Sequence, residues 1–363
     1  MKHQGVSPFL HGGNIHAHSG DVIDFSASIN PLGPPEAVRR LLADAPDWLP
    51  VYPDPDYRAL RSALAEYCGV DLETVIVGNG ATQLMFSLFR ALPAGRVLLP
   101  LPLYSEYERA AVLAGHTVQH LVLDWRKDFA FSAEAFQTAA MDGKADCAVI
   151  CQPNNPTGLC FSQPDMKALL AFARDCRMTL IVDETFAEFL PDEPERSFIG
   201  RLRPGDPVIV LRAQTKFFGM PGLRLGYAVC MNQSIVNALN QAAEPWSVNG
   251  FAAVAGPAAV RDHAFITRSR EWLKAERPAF EAELAGIPGI RVFPGQANYL
   301  LLRLAGESMT AAQLRHRLLE QGLMIRDAAD FKGLDAYFFR VAVKSARDNA
   351  LLAQQLRTTL TGG

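Results

Sequence analysis

Residues 74–92 read TVIVGNGATQLMFSLFRAL. The first four residues are mostly β-branched, which favours a buried strand, and the later part repeats apolar residues at helical spacing. The glycine turn between the two parts predicts a strand that passes directly into a helix. The backbone N–H groups of Gly80 and Ala81 and the hydroxyl of Thr82 would then lie at the positive end of the helix, where anions bind. The dinucleotide pattern GxGxxG is not met, because Gln83 stands where its third glycine belongs.

The same alternation of strand and helix continues through the middle of the chain. Further short apolar strands are predicted at VLLPLPLY, TVQHLVL, CAVICQP, TLIVDE, VIVLRA and GYAVC. Between two of them, SQPDMKALLAFARDC has the capping box and the apolar spacing of a helix. We therefore expect an α/β fold in which a mainly parallel central sheet carries helices on both faces.

After about residue 245 the pattern changes to one long helical region followed by the strand candidates IRVF, NYLLLRL and YFFRVAV, with helices after the second and third. This order predicts a smaller α+β domain. The expected organisation is an N-terminal arm (1–35) that contributes to a substrate site, a large cofactor-binding domain (36–245) and a small C-terminal domain (246–363).

The composition excludes several classes of protein. With 49% hydrophobic and 20% charged residues in 363, the chain reads as an ordinary soluble globular protein. A net charge of -3 and the absence of a basic run argue against a protein that binds nucleic acid or a membrane surface. Its first residues lack the apolar core of a signal peptide, and its apolar runs are too short for a membrane helix. The 6 cysteines form no CxxC pair and no metal-ligand spacing, which favours a cytoplasmic protein without a metal site.

Polar side chains follow several of the predicted strands, at the sheet edge where α/β proteins bind ligands. Asn155 lies in QPNNPTG, and Asp183 ends an apolar strand, where a buried carboxylate needs a cationic partner. Lys216 lies in the apolar turn RAQTKFFGMPGLRLG, which also carries Arg224. An ammonium in such a turn is costly unless it is paired or neutralised.

One ligand would use the anion cup, the amide, the carboxylate and the lysine together, and that ligand is pyridoxal 5′-phosphate. Lys216 would be neutralised by forming an imine with the aldehyde. Asp183 would keep the pyridine nitrogen protonated, and Tyr104 could cover the ring face. Taken alone, Lys216 would more simply be a solvated surface lysine.

The order GNGAT, PLY, NNPTG, DET and TKFFGMPGLRLGY resembles the fold-type I pyridoxal-phosphate enzymes, close to the histidinol-phosphate aminotransferases. The resemblance spans nearly the whole chain. Five stretches resemble more narrowly the threonine-phosphate decarboxylases, which make the aminopropanol phosphate arm of cobalamin: HGGN (11–14), DFSASINPLGPP (24–35), EPWSVN (244–249), ANYLLLRL (297–304) and FFRVAVKSARDN (338–349).

The resemblance implies a role for each matching cofactor residue. Lys216 would form the imine and Asp183 would bind the pyridinium nitrogen, while Asn155 would contact the ring oxygen or the substrate carboxylate. Tyr52 would reach across the interface of a homodimer to the cofactor phosphate. The remaining ligands of that phosphate would be Thr82, Thr215 and Arg224.

The resemblance also implies how a phosphorylated amino acid substrate is bound. Arg340 would hold the substrate carboxylate. Arg326, with His11 and Gly12 of the N-terminal arm, would bind the substrate phosphate. Ser28 occupies a substrate-binding position at which the decarboxylases tend to have asparagine. A fork of N–H donors on each arginine matches a carboxylate or a phosphate.

Besides Ser28, two further positions depart from the family pattern. Ala213 stands where many relatives have a serine for the cofactor phosphate, and Phe186 replaces the tyrosine that bonds the ring oxygen in aminotransferases. The loss of the tyrosine favours decarboxylation. The residues themselves leave the reaction open: if Arg340 holds the carboxylate in the ring plane, Lys216 would instead remove the Cα proton, and histidinol phosphate would be the substrate of an aminotransferase.

Overall fold

The computed structural model describes residues 11–18, 20–43, 49–306 and 308–361. Its strands are β1 (Ile23–Asp24), β2 (Val75–Gly78), β3 (Arg96–Leu101), β4 (Thr117–Val122), β5 (Cys147–Cys151), β6 (Thr179–Asp183), β7 (Val208–Ala213), β8 (Gly226–Cys230), β9 (Ile290–Val292), β10 (Tyr299–Leu304), β11 (Leu323–Met324), β12 (Arg326–Asp327) and β13 (Phe338–Ala342). Its helices are α1 (Glu36–Ala43), α2 (Arg58–Cys68), α3 (Gly80–Ala91), α4 (Glu106–Leu113), α5 (Ala133–Asp142), α6 (Gln163–Cys176), α7 (Glu193–Arg196), α8 (Gln233–Ala242), α9 (Gly250–Arg261), α10 (His263–Ala285), α11 (Ala311–Leu319) and α12 (Ala346–Thr361).

The largest sheet confirms the predicted α/β fold. Within the described chain it has 7 strands in the order β2-β8-β7-β6-β5-β3-β4. The pairs from β7 through β6, β5 and β3 to β4 are parallel, and β8 alone runs antiparallel to its neighbours in this sheet. The parallel strands all end at one edge, and side chains that follow them are therefore brought together there.

Both faces of this sheet are covered, as predicted. Successive strand residues point to opposite faces. Along β5, Ala148 and Ile150 therefore belong to a core that includes residues of α2, α5, α6 and α9, whereas Val149 and Cys151 belong to a second core with residues of α3, α4 and α8. A strand buried on both faces carries no polar alternation, and this explains the unbroken apolar run of CAVIC.

The C-terminal part forms the predicted α+β unit. Its sheet has the order β12-β13-β10-β9, and all its pairs are antiparallel. The long helical region that the sequence predicts is divided into α9 and α10. Asp262 separates them and caps α10 by accepting a hydrogen bond from the backbone N–H of Phe265 at 2.9 Å.

Two contacts bear on the proposed domain boundaries. β1 of the N-terminal arm pairs in parallel with β11, and Ile23 lies opposite Leu323, so the arm is joined to the small domain. Helix α9 packs on α1 and α2 rather than on the small sheet. The division at residues 35 and 245 stays a prediction, and we propose that the second boundary lies nearer to Asp262. The first ten residues of the arm lie outside the described residues. Among the residues described, no helix is both long and apolar enough to cross a bilayer.

Candidate active site

A cavity of about 210 Å³ opens where three neighbouring parallel strands end. Cys151, Asp183 and Ala213 are the last residues of β5, β6 and β7, and all three line it. Most of the residues predicted for the site also line this cavity: His11, Gly12, Ala81, Thr82, Tyr104, Asn155, Asp183, Thr215, Lys216, Arg224, Arg326 and Arg340.

Lys216 lies in the wall of this cavity, four residues after the buried Arg212 of β7. Burial lowers the pKa of its amine to about 8, and the positive charges of Arg340 and Arg224 act in the same direction. The ordinary pKa of a lysine is 10.5. A neutral, nucleophilic amine is therefore available near physiological pH, which is the state that imine formation requires.

Asp183 has a hydrogen-bond donor on each carboxylate oxygen. The hydroxyl of Tyr107 donates to Oδ2 at 2.5 Å, and the backbone N–H of Thr185 donates to Oδ1 at 2.8 Å. Burial raises the pKa of Asp183, and these two bonds and the charge of Lys216 oppose that rise. A cation beside the carboxylate would oppose it further, so the site suits a protonated ring nitrogen.

The predicted anion cup is formed by the start of α3 and the turn that carries Arg224. Gly80 has a φ of +78°, and a Cβ built on it would lie 2.8 Å from Nη2 of Arg224. Arg224 itself adopts a left-handed conformation, with φ 57° and ψ 55°. In the described chain, Asn79 makes no side-chain capping bond to α3. The first N–H groups of this helix, Thr82 and the Arg224 guanidinium together fit a phosphate.

Arg340, in β13 of the C-terminal sheet, contacts the loop that follows β5. Its Nη1 donates to the amide oxygen of Asn155, and its Nη2 donates to the backbone carbonyl of Ser26 at 3.0 Å. Its Nε is buried and has no hydrogen-bond partner among the described residues. Burial lowers the pKa of Arg340 to about 10. A buried guanidinium with unused donor capacity is suited to an anionic ligand.

Arg326 lies directly beside Arg340, because the two residues pair across β12 and β13. Its Nη2 donates to Oδ2 of Asp330 at 2.6 Å. The N-terminal arm reaches the same region, where Gly12 approaches Ser26 so closely that an added Cβ would lie 2.3 Å from the carbonyl oxygen. The strand pairing and the arm thus place two arginines and one histidine around one cavity.

Three predicted site residues do not line the cavity of this chain: Gly80, Ser28 and Tyr52. Gly80 is buried at the start of α3, beside Arg224. The side chain of Ser28 is fully buried, and its hydroxyl has no hydrogen-bond partner among the described residues. Tyr52 is 77% exposed, and its ring lies 4.8 Å from the ring of Trp246. The substrate-binding role of Ser28 and the role of Tyr52 across a dimer interface both stay predictions.

Sequence reasoning missed several lining residues. Tyr107 could have been found, because it lies three residues after Tyr104, in the first turn of α4, where its ring centroid is 5.7 Å from that of Tyr104. Thr185 follows Asp183 within the quoted DET motif. The substitutions Phe186 and Ala213, noted in the sequence, do line the cavity. No sequence signal pointed to the remaining members: Ser26, Ala27, Met85, Cys151 and Phe331.

The comparison with known families agrees with this geometry. Residues 20–357 match the profile of aminotransferase class I and II. The chain belongs to this family. Its members are dependent on pyridoxal 5′-phosphate. The anion cup, the hydrogen-bonded Asp183 and Lys216 with its lowered pKa are the features of this structure that fit the cofactor.

The relatives include threonine-phosphate decarboxylases and histidinol-phosphate aminotransferases. The chain is 37% identical over 359 residues to the threonine-phosphate decarboxylase of Salmonella typhimurium, covering 97% of each chain. Among solved structures, the histidinol-phosphate aminotransferase of Clostridium acetobutylicum superposes with a TM-score of 0.86 at 33% identity, covering 92% of this chain and 98% of that one. The L-threonine-O-3-phosphate decarboxylase of Porphyromonas gingivalis superposes with a TM-score of 0.79 at 27% identity, covering 93% and 98%.

Proposed function

We propose that the protein decarboxylates L-threonine O-3-phosphate to (R)-1-amino-2-propanol O-2-phosphate for cobalamin biosynthesis. The observation that carries the proposal is the near full-length match, at 37% identity, to a relative named for this reaction. The cavity supports it, because Arg326 and Arg340 offer two separate anion-binding groups on neighbouring strands. A phosphorylated amino acid carries two such anionic groups, one at each end.

Different residues around the cavity would bind different parts of the cofactor. Thr82, Thr215 and Arg224 would bind its phosphate, and Asp183 would bind its ring nitrogen. Bound pyridoxal 5′-phosphate supplies an aldehyde that joins the substrate amine and a protonated ring that withdraws electrons from Cα. Tyr107 and Thr185 hold the Asp183 carboxylate in place, so its orientation is fixed before the cofactor arrives.

The substrate is held at its two charged ends. Arg340 would bind the carboxylate through its guanidinium fork, and the neighbouring amide of Asn155 would add a donor. Arg326 and His11 would bind the phosphate, with Gly12 leaving room for it. Contacts to the remote phosphate fix the torsion about Cα, and this torsion selects the bond that breaks.

Lys216 would move the proton at Cα. Its lowered pKa, about 8, lets the amine carry a proton near neutral pH and release it easily. When the bond from Cα to the carboxylate breaks, carbon dioxide leaves and the Cα atom gains a proton. Lys216 lines the cavity and would give that proton to Cα.

The second candidate is a histidinol-phosphate aminotransferase. The structural match at a TM-score of 0.86 favours it, and the same lysine could remove the Cα proton instead. Phe186 argues against it, because a phenyl ring cannot make the hydrogen bond to the ring oxygen that the tyrosine of such relatives makes. Phe186 packs against Tyr299, with ring centroids 5.0 Å apart.

We also infer a homodimer in the cytoplasm. An exposed apolar segment supports the dimer, because Leu49, Val51 and Tyr52 are all about 70% exposed or more and Trp246 lies against Tyr52. The cysteines of the described residues are free, as a reducing compartment allows.

The proposed function is tested by incubating the holoenzyme with phosphothreonine and, separately, with histidinol phosphate and 2-oxoglutarate, and by identifying the products by mass spectrometry. We expect aminopropanol phosphate from the first and no glutamate from the second. Glutamate formation from histidinol phosphate without any aminopropanol phosphate would replace this proposal by the aminotransferase.

A further inference from the structure

A buried carboxylate lies behind the histidine of the N-terminal arm. Nε2 of His11 is 3.1 Å from Oε1 of Glu106, the first residue of α4. The side chain of Glu106 is only 6% exposed, whereas that of His11 is 34% exposed and lines the cavity. His11 thus lies between a buried acid and the space where the substrate phosphate would bind.

The two oxygens of Glu106 have different partners. Oε1 faces His11, and Oε2 accepts a hydrogen bond from Nη1 of Arg109 at 2.9 Å. A buried carboxylate is stabilised only if its oxygens are paired, and the start of a helix adds further stabilisation. Arg109 therefore secures Glu106 on α4, and this leaves Oε1 to orient the ring of His11.

The contact between His11 and Glu106 determines which ring nitrogen of His11 can bind a phosphate. A carboxylate accepts, so the nitrogen that faces Glu106 carries a hydrogen. Nδ1 is then the nitrogen available to the ligand, and it donates to a phosphate oxygen when it also carries a proton. The carboxylate compensates the charge of such a ring. Metal-bound histidines are oriented through their second nitrogen in the same manner.

The same carboxylate also attaches the arm to the large domain. His11 and Gly12 line both the 210 Å³ cavity and an adjoining one of about 200 Å³, which Arg326 and Arg315 also line. Without the Glu106 contact, the ring of His11 would lose its fixed direction toward this space. Substrate binding would then have to immobilise the ring, and this loss of side-chain entropy would weaken the affinity.

We propose that Glu106 is a positioning residue that orients His11 toward the phosphate of the substrate. This inference rests on the proposed function, because the anion that His11 meets is the phosphate of phosphothreonine. Glu106 does not contact the substrate itself and acts through His11. Its removal should therefore weaken binding of the phosphate end without changing the chemistry at Cα.

The matched control is Glu108, two residues further along α4. Its carboxylate pairs with Nζ of Lys332 at 2.6 Å and with Nε2 of His120 at 3.1 Å, so it is also a partly buried acid with two cationic partners. Within the described chain it makes no hydrogen bond or ion pair with His11. Glu108→Gln therefore removes a comparable charge from the same helix.

The test is a double-mutant cycle of Glu106→Gln and His11→Ala on the holoenzyme, with Glu108→Gln measured alongside. The readouts are kcat and KM for phosphothreonine and the calorimetric Kd for inorganic phosphate. We expect Glu106→Gln to raise KM and Kd about tenfold, as for one charge-assisted hydrogen bond, and to leave kcat within about twofold. The double variant should bind no more weakly than His11→Ala alone.

If the increases in Kd caused by Glu106→Gln and His11→Ala multiply in the double variant, the two residues act independently and the inference is wrong. Equal increases in KM and Kd for Glu106→Gln and Glu108→Gln would also overturn it. If Glu106→Gln does not fold, Glu106→Asp retracts the carboxylate and enters the same cycle. Wild-type enzyme that releases no carbon dioxide from phosphothreonine would refute the proposed function. The Kd cycle with inorganic phosphate would still decide the role of Glu106.

Discussion

The guanidinium of Arg340 donates a hydrogen bond to the amide oxygen of Asn155. This bond crosses from the antiparallel sheet of the C-terminal part to the loop after β5, so both parts of the chain build one site. Arg340 is buried and Asn155 lines the same cavity. The bond therefore fixes the direction of the guanidinium before a substrate carboxylate binds.

Arg340→Lys should lower kcat/KM for phosphothreonine by about 10- to 100-fold, because a lysine keeps the charge but loses the fork that binds a carboxylate with two donors. Steady-state kinetics check this. Arg303→Lys is the control, since Arg303 pairs with Asp335 at 2.9 Å and does not line the cavity. Equal losses in both variants would contradict the assigned carboxylate site.

Tyr107→Phe should lower kcat about tenfold, because Asp183 Oδ2 loses its donor at 2.5 Å and the carboxylate is less well held. The free energy of unfolding should fall by about 1–3 kcal/mol for the same reason, as an acceptor is left buried without a partner. Thermal unfolding and kinetics measured on one preparation separate the two effects. A variant with unchanged kcat would remove Tyr107 from the site.

Gly80→Ala should weaken binding of pyridoxal phosphate by at least about tenfold, since the new Cβ would lie 2.8 Å from Nη2 of Arg224 at a backbone φ of +78°. Fluorescence titration of the apoenzyme measures the affinity. Gly222→Ala is the control, because a Cβ on Gly222 meets nothing within 4 Å. If the two variants bind alike, the anion cup is not formed by Gly80 and Arg224.

The rate at which the apoenzyme binds pyridoxal phosphate covalently should rise with pH through a midpoint near 8. The pKa of Lys216 is lowered to about 8, and only the neutral amine attacks an aldehyde. Below that pH the amine is protonated and reacts slowly, and above it the rate reaches a plateau. Stopped-flow absorbance gives the profile. A midpoint near the ordinary value of 10.5 would contradict the lowered pKa of Lys216.

Most of the site could be predicted because it depends on short motifs at strand ends. Asp183 ends β6, Asn155 follows β5 and Thr215 follows β7, and a parallel sheet brings such strand ends together whatever the loops do. The pairing of β1 with β11 could not be predicted, because Ile23 and Leu323 are 300 residues apart and each strand has only two residues. A two-residue strand has no readable period.

The surroundings of Ser28 and Glu106 could not be predicted from the sequence either. A serine in a loop carries no signal for the direction of its hydroxyl, and that of Ser28 lies in the core. Glu106 stands at the start of a helix, where acidic residues are common for electrostatic reasons alone. Only the three-dimensional structure places its carboxylate against His11.

The most direct test of the proposed decarboxylation uses phosphothreonine labelled with ¹³C in the carboxyl group. Wild-type holoenzyme should release one labelled carbon dioxide for each substrate consumed, without 2-oxoglutarate. Lys216→Ala should lose this activity by roughly 10²–10⁴-fold, together with the borohydride-reducible link to the cofactor. A 2-oxo acid that retains the label and forms only with 2-oxoglutarate would contradict the account.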